Sequence, residues 1–172
     1  MGETREYDLA VVGSGGGAMT AAALAAKAGL STVVVEKTDR IGGTSAYSGG
    51  ACWLPGSQAQ QRCGVTADST ESARRYLDAL LGAAPAVVAA LEDDELFEFE
   101  HTMFPEYYDL PGRVPLGRSI QPVRVRRGDL PAVVADLVRA PVELDRAGAP
   151  GRNTLTGGQA LIARLAAIFV RE

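Results

Sequence analysis

The chain has 172 residues, 47% hydrophobic and 22% charged, a balance that suits about one globular domain and excludes a disordered or collagen-like polymer. Its formal net charge of -4 leaves no cation surplus to displace counterions from nucleic acid. No apolar run has the roughly 20 residues of a membrane helix, one histidine is too few for most His-based metal centres, and the two cysteines match no metal or disulfide spacing. Reduced thiols in a cytoplasmic protein are therefore expected, with no metal and no secretory leader in the polar Met1–Asp8 segment.

In chain order, Tyr7–Val12 (YDLAVV) reads as a short buried strand. The glycine run Gly13–Gly17 follows, then Ala18–Ala28, strongly helix-forming, with Gly29 placed for a left-handed cap. Ser31–Glu36 (STVVVE) is a β-branched strand. With no room for a hairpin, it should lie parallel to the first strand. Lys37–Gly56 is a long connection rich in glycine and serine. A helix is expected over Asp68–Leu81, capped by Asp68 and Glu71 and stopped at Gly82. Pro85–Leu91 reads as a second short helix, Glu92–Glu95 as a solvated acidic turn, and Leu96–Glu100 as an alternating exposed strand. Pro105–Pro122 is loop-like, Leu130–Arg139 has helical spacing, and Gln159–Phe169 forms a final helix.

The first thirty-six residues carry a specific chemistry. Gly13-x-Gly15-x-x-Ala18 lies between a strand and a helix, where the motif has mechanical meaning. Gly13 permits the tight turn, Gly15 lets a pyrophosphate approach the backbone, and Ala18 keeps the helix close to the sheet. Ser14, Gly16 and Gly17 complete the cradle, and the helix start offers unpaired N–H groups to phosphates. Glu36 ends the second strand, where an acid accepts hydrogen bonds from an adenosine ribose and repels a 2′-phosphate. Lys37 and Thr38 follow it. The next segment, with Gly42, Gly43, Thr44 and Ser45 and then Ser48, Gly49 and Gly50, offers backbone donors and close approach to a long cofactor with a flat ring system. FAD is expected rather than a nicotinamide nucleotide. The architecture expected is α/β: a Rossmann-like βαβ unit with a parallel sheet, then mainly helical and loop segments, the whole being an incomplete domain.

These two constellations resemble the FAD-dependent fumarate reductase/succinate dehydrogenase flavoproteins, the group that also holds 3-ketosteroid Δ1-dehydrogenases. Three stretches resemble the steroid enzymes in order: Glu36–Leu54 (EKTDRIGGTSAYSGGACWL), Phe104–Pro122 (FPEYYDLPGRVPLGRSIQP) and Thr156–Ala166 (TGGQALIARLA). The resemblance implies that Glu36 holds the ribose, that Gly42–Ser45 lie along the pyrophosphate and flavin, and that Ser48–Gly50 lie near the ring. It implies 1,2-desaturation of a 3-ketosteroid: a hydride passes from C1 to the flavin, and a proton from C2 to a tyrosine base. Tyr107 would line the steroid pocket and assist removal of that proton, and a quinone-like acceptor would reoxidise the flavin. Tyr108 would be packing.

On this resemblance, residues 1–56 form the FAD-binding unit with its flavin loop, 57–152 an insertion carrying part of the substrate pocket, and 153–172 the start of a return helix. Relatives are longer, with extra residues near Gly82-Ala83-Ala84, so the chain is expected to be a truncated portion that needs a complementing C-terminal part and is inactive alone. Trp53 and Cys52 are expected to pack, His101 to sit at the surface, and Arg124, Arg126 and Arg127 to form a solvated face. Arg118 would brace the substrate loop through a carboxylate. Two other readings stand beside the steroid one: a relative acting on a small dicarboxylate, which would need an arginine-lined polar pocket, and a non-catalytic nucleotide-binding remnant.

Overall fold

The computed structural model describes residues 5–81, 94–106 and 108–172. The expected Pro85–Leu91 helix, the first half of the acidic turn and Tyr107 lie outside the described residues. The chain divides into two compact units, Met1–Gly50 with Val123–Glu172, and Ala51–Pro122.

The first unit opens with strand β1 (Leu9–Val12), helix α1 (Gly16–Lys27) and strand β2 (Thr32–Val35). The strands pair in parallel, Leu9 opposite Thr32 through Val12 opposite Val35, as the short crossover demands. Gly29 takes φ +81°, with its N–H on the Ala26 carbonyl and that of Leu30 on Ala25, a Schellman stop. A 3-10 turn, Gly43–Tyr47, falls within the glycine-rich connection. Chain from the far end completes the unit: β6 (Val125–Arg126) pairs antiparallel with β7 (Thr154–Leu155), and α4 (Ala132–Leu137) and α5 (Val142–Arg146) lie between them in sequence. Helix α6 (Gly157–Arg171) follows.

Helix α6 is the centre of this unit. Gly158 through Ile168 are all buried, and α1 packs on it through Met19, Ala22 and Ala23. Alanines on both helices let the backbones come close, while Ile162, Leu165 and Ile168 supply the apolar mass, each contributing about 1.5–3 kcal/mol when fully buried. The helix start is packed tighter still. A Cβ on Gly158 would overlap the Ser45 carbonyl, and one on Gly50, at φ +70°, would overlap the backbone of Gly157. The Gly158 N–H also donates to Ser48 O at 2.9 Å.

The second unit holds a three-stranded antiparallel sheet in the order β3 (Cys52–Trp53), β5 (Ser119–Pro122), β4 (Phe99–His101). Helices α2 (Gln58–Arg62) and α3 (Thr70–Leu81) belong to it. Phe97 and Phe99 stack at 4.1 Å, so the alternating segment buries one face and exposes Glu98 and Glu100 on the other. The expected exposed strand is thus half-buried, because both aromatics share one side of a two-residue repeat.

Three local expectations fail for one reason. Ser69, not Asp68, caps α3: its hydroxyl accepts the Ser72 N–H, and the Ser72 hydroxyl accepts the Ser69 N–H. Asp68 turns instead to Arg118. His101 is buried, its Nε2 donating to the Gly117 carbonyl at 3.1 Å, and Asp94 is buried too. Arg127 leaves the expected solvated face to bond the carbonyls of Arg152, Ala135 and Val138, while Arg124 and Arg126 remain exposed. For Asp68, His101 and Arg127 a distant backbone group or charge outcompetes the local signal.

The tight helix start makes a testable contrast. Gly158→Ala should lower unfolding free energy by more than about 2 kcal/mol, because its methyl has no room. Gly128→Ala, where a Cβ meets nothing within 4 Å and φ is ordinary, should stay within about 0.5 kcal/mol of the parent. Urea unfolding of the two variants measures the difference.

Candidate functional site

The strand–turn–helix of the first unit builds the site. Gly13 leaves β1 at φ +90°, and its N–H donates to Val35 O at 2.8 Å, which ties the turn to the end of β2. Gly15 is the N-cap of α1 and offers no side chain. The first N–H groups of a helix have no intrahelical partner. Here Gly16 donates to Ser45 Oγ at 2.9 Å, and Gly17 and Ala18 follow in the same first turn.

Ser14 is buried at 1% exposure and joins three pieces of the sequence. Its hydroxyl donates to Glu36 Oε2 and accepts the Gly42 N–H at 3.0 Å. Glu36 Oε1 accepts from the Thr38 amide at 3.1 Å and from the Thr38 hydroxyl at 3.2 Å. These donors hold the Glu36 carboxyl below the usual range, the Ser14 hydroxyl most of all and the Thr38 amide next, with slight desolvation opposing them. The acid is therefore charged across the neutral range.

Arg139, which carried no signal in the sequence, pins the outer side of this loop. Its guanidinium donates to Thr38 Oγ1 at 2.7 Å and to Asp145 Oδ2 and Tyr47 Oη at 3.0 Å each. Tyr47 also donates to Asp145. Only the tertiary fold brings residues 38, 47, 139 and 145 together.

Gly42 and Gly43 adopt φ +120° and +50°, and Gly43 lies against Gly15: a Cβ there would stand 3.7 Å from the Gly15 Cα. Thr44 and Ser45 belong to the 3-10 turn. Ser48 Oγ donates to Ser45 O and accepts the Gly50 N–H, shaping the Ser48-Gly49-Gly50 segment. The fold thus brings the turn 13–18, the acid Glu36 with Thr38, the segment 42–45 and the start of α6 into one neighbourhood. Lys37 lies exposed beside them.

The arrangement fits a dinucleotide. An added Cβ at Gly13, Gly17 or Gly49 meets nothing within 4 Å, which leaves room along bare backbone. A fixed carboxylate stands beyond the helix start, as ribose recognition requires. A cavity of about 470 Å³ adjoins it, lined by Thr32, Val34, Glu36, Thr38, Leu137 and Phe169 among others.

In the second unit, Trp53 donates through Nε1 to Glu106, and burial pushes the Cys52 thiol up. Cys63 is exposed and unpaired. Arg118 does pair with carboxylates, Asp68 and Glu106. Among the described residues, no helix is long and apolar enough to cross a membrane.

A parallel βαβ unit with a glycine turn, an acid after its second strand and a bare-backbone groove defines a dinucleotide-binding flavoprotein domain. The FAD binding domain family matches residues 8–171, and the chain belongs to that family. It is 52% identical to 3-oxosteroid 1-dehydrogenase of Rhodococcus opacus over 96% of its length, covering 34% of that protein. It is 37% identical to 4-oxocyclohexanecarboxylate 2-dehydrogenase of Sinomonas cyclohexanicum, again over 96% of this chain and 35% of the other. Among solved structures, 3-ketosteroid Δ1-dehydrogenase of Sterolibacterium denitrificans in complex with 1,4-androstadiene-3,17-dione aligns over 98% of this chain and 39% of its own, at 27% identity and a TM-score of 0.70. The chain spans about a third of the length of the curated relatives it matches.

The Ser14–Glu36 contact carries a pH signature. A carboxyl with a lowered folded pKa adds stability above its unfolded value and loses it as pH falls through the lowered one. Ser14→Ala should return the Glu36 pKa toward the ordinary carboxyl range in an NMR titration. Its stability deficit against the parent should be widest above about pH 5 and narrow on acidification.

Proposed function

We propose that this chain is the FAD-binding portion of a 3-ketosteroid Δ1-dehydrogenase. Gly13–Ala18 and the start of α1 take the diphosphate, Glu36 takes the adenosine ribose with Lys37 and Thr38 beside it, and Gly42–Ser45 with Ser48–Gly50 lie along the rest of the cofactor. Bound FAD supplies the hydride acceptor for the carbon next to the acidified one. The 3-keto group acidifies the C2 hydrogens, and Tyr107 assists removal of the C2 proton. Residues 1–56 are the cofactor unit, 57–152 hold part of the substrate pocket, and 153–172 return toward the cofactor unit. A C-terminal part completes the enzyme, a quinone-like acceptor takes the electrons, and the cytoplasm, where the Cys52 and Cys63 thiols stay reduced, is its compartment.

One observation separates this reading from a dicarboxylate-specific one. The arginine within the resembling substrate segment is fully buried and committed to Asp68, Glu106, Ser72 and the Gly112 carbonyl. The other, Arg113, bonds Asp109. The same segment exposes Phe104, Tyr108 and Leu116. These exposed apolar side chains suit a steroid, and both arginines of the segment are already paired with carboxylates. The 52% identity to a 3-oxosteroid 1-dehydrogenase supports the same choice.

The test combines flavin and substrate. The chain joined to the C-terminal part of the Rhodococcus opacus relative should retain FAD through gel filtration and reduce a redox dye when given a 3-ketosteroid, whereas the chain alone should show no steady turnover. Glu36→Ala in the joined protein should weaken FAD binding about tenfold or more, the value of a hydrogen bond to a charged group. Dye reduction with fumarate but not with the steroid would refute the proposal.

A further inference from the structure

Arg118 has 0% exposure and is among the largest fully buried side chains in the described residues. Burying a guanidinium is costly unless every donor is matched. Here the match is extensive. Nε bonds Asp68 Oδ1 at 2.6 Å, Nη1 bonds Glu106 Oε1, and Nη2 bonds Ser72 Oγ at 3.0 Å and the Gly112 carbonyl at 2.5 Å. The guanidinium carbon stands 5.3 Å from the Trp53 ring centroid and 5.6 Å from that of Tyr76, distances at which a cation and an aromatic ring attract.

Glu106 is the other half of the device. Oε1 accepts from Arg118 and from Trp53 Nε1 at 3.2 Å, and Oε2 accepts the Val114 amide at 2.8 Å. Every polar neighbour of this carboxylate is a donor. The chain beside it is held with equal insistence. Gly117, at φ +71°, leaves no space for a Cβ against the Phe104 carbonyl. Thr102 donates both its amide and its hydroxyl to Ser119 O. Met103, between these clamps, sits at φ +54°, a left-handed conformation a non-glycine residue adopts only when its surroundings dictate it. Yet the residues so firmly held display apolar side chains to solvent: Met103 is 57%, Phe104 62% and Tyr108 58% exposed.

A fold seldom fixes an exposed apolar loop with a fully buried ion pair and a strained backbone for stability alone, since apolar replacement of such a pair is often as stable. We propose that Arg118 and Glu106 are positioning residues: they hold the Met103–Glu106 stretch, with Phe104 outward, as a rigid apolar wall for the fused rings of the substrate. This inference rests on the steroid reading given above for the ligand, and on the geometry of the second unit for the positioning. Arg118 and Glu106 touch no reacting atom; they act through the loop.

The experiment uses the joined protein of the preceding test. Glu106→Gln is isosteric, but one of its two polar ends becomes an NH2 group facing a donor, so the clamp should open without loss of volume. Arg118→Lys keeps the charge and loses the fork that reaches several acceptors. Both variants should raise amide hydrogen exchange of residues 102–117 about tenfold and shift the emission of Trp53, the only tryptophan. FAD content, set by the first unit, should not change. The steroid KM should rise tenfold or more and kcat should fall with it, because Tyr107 directly follows Glu106, whereas general destabilisation would lower FAD content as well. Glu106→Asp, which keeps the charge, should recover part of the KM loss. Unchanged exchange and emission in Glu106→Gln would overturn the positioning role whether or not a steroid binds. Loosened exchange with an unchanged steroid KM would overturn the substrate-facing role. Absence of steroid binding in the parent would sink the steroid reading, and with it the ligand named here, leaving the positioning to be judged by exchange and emission.

Discussion

The Ser14 hydroxyl is the point on which the cofactor cleft depends. It has one proton to give and gives it to Glu36; its lone pair receives the Gly42 amide. The first donation fixes an anion at the end of β2. The second draws the glycine segment back over the turn that follows β1. Because Ser14 is buried, its hydroxyl has these two partners in place of water, and the three stretches are held as one surface. A shorter or apolar residue at this position would leave an acid without its main donor and a buried amide without an acceptor.

Two kinds of polar burial divide the molecule. In the first unit, small hydroxyls and bare amides line a groove that leaves backbone open along Gly13, Gly17 and Gly49. In the second, a guanidinium and two carboxylates are sealed inside beside Phe97, Phe99 and Ile120, while Met103, Phe104, Tyr108 and Leu116 lie exposed. Such an inversion costs free energy, and a protein retains it where the exposed apolar groups have a use. The first unit suits a polar, charged cofactor, and on the proposed reading the second would offer apolar surface to a ring system.

The parts of this fold that were legible in the sequence are those governed by neighbours. The βαβ unit follows from a β-branched run, an alanine-rich run and glycines at fixed offsets, so β1, α1, β2 and the Gly29 stop fall where expected. The glycines of 42–50 read as giving close approach to a cofactor, and what sequence did not reveal is that Gly50 packs against Gly157 at the start of α6. What local reasoning missed is long-range. Asp68 looked like a cap because of its position, but the buried Arg118 is the stronger partner for a carboxylate, and Ser69 takes over the cap. His101 looked solvated because it is alone, yet it is buried with its ring bonded to the Gly117 carbonyl. Arg139 gave no sign at all, since its partners are spread over the whole first unit.

The contact between Gly50 and Gly157 has a consequence for how the protein is made. The Gly42–Gly50 loop leaves the ribosome early, but its final shape is moulded against the first turn of a helix that emerges much later. Until that helix arrives, the loop has no template, and a contact so distant in sequence is slow to close. Synthesis therefore leaves an interval in which a half-built nucleotide pocket stands open, and the last helix acts as the key that ends it.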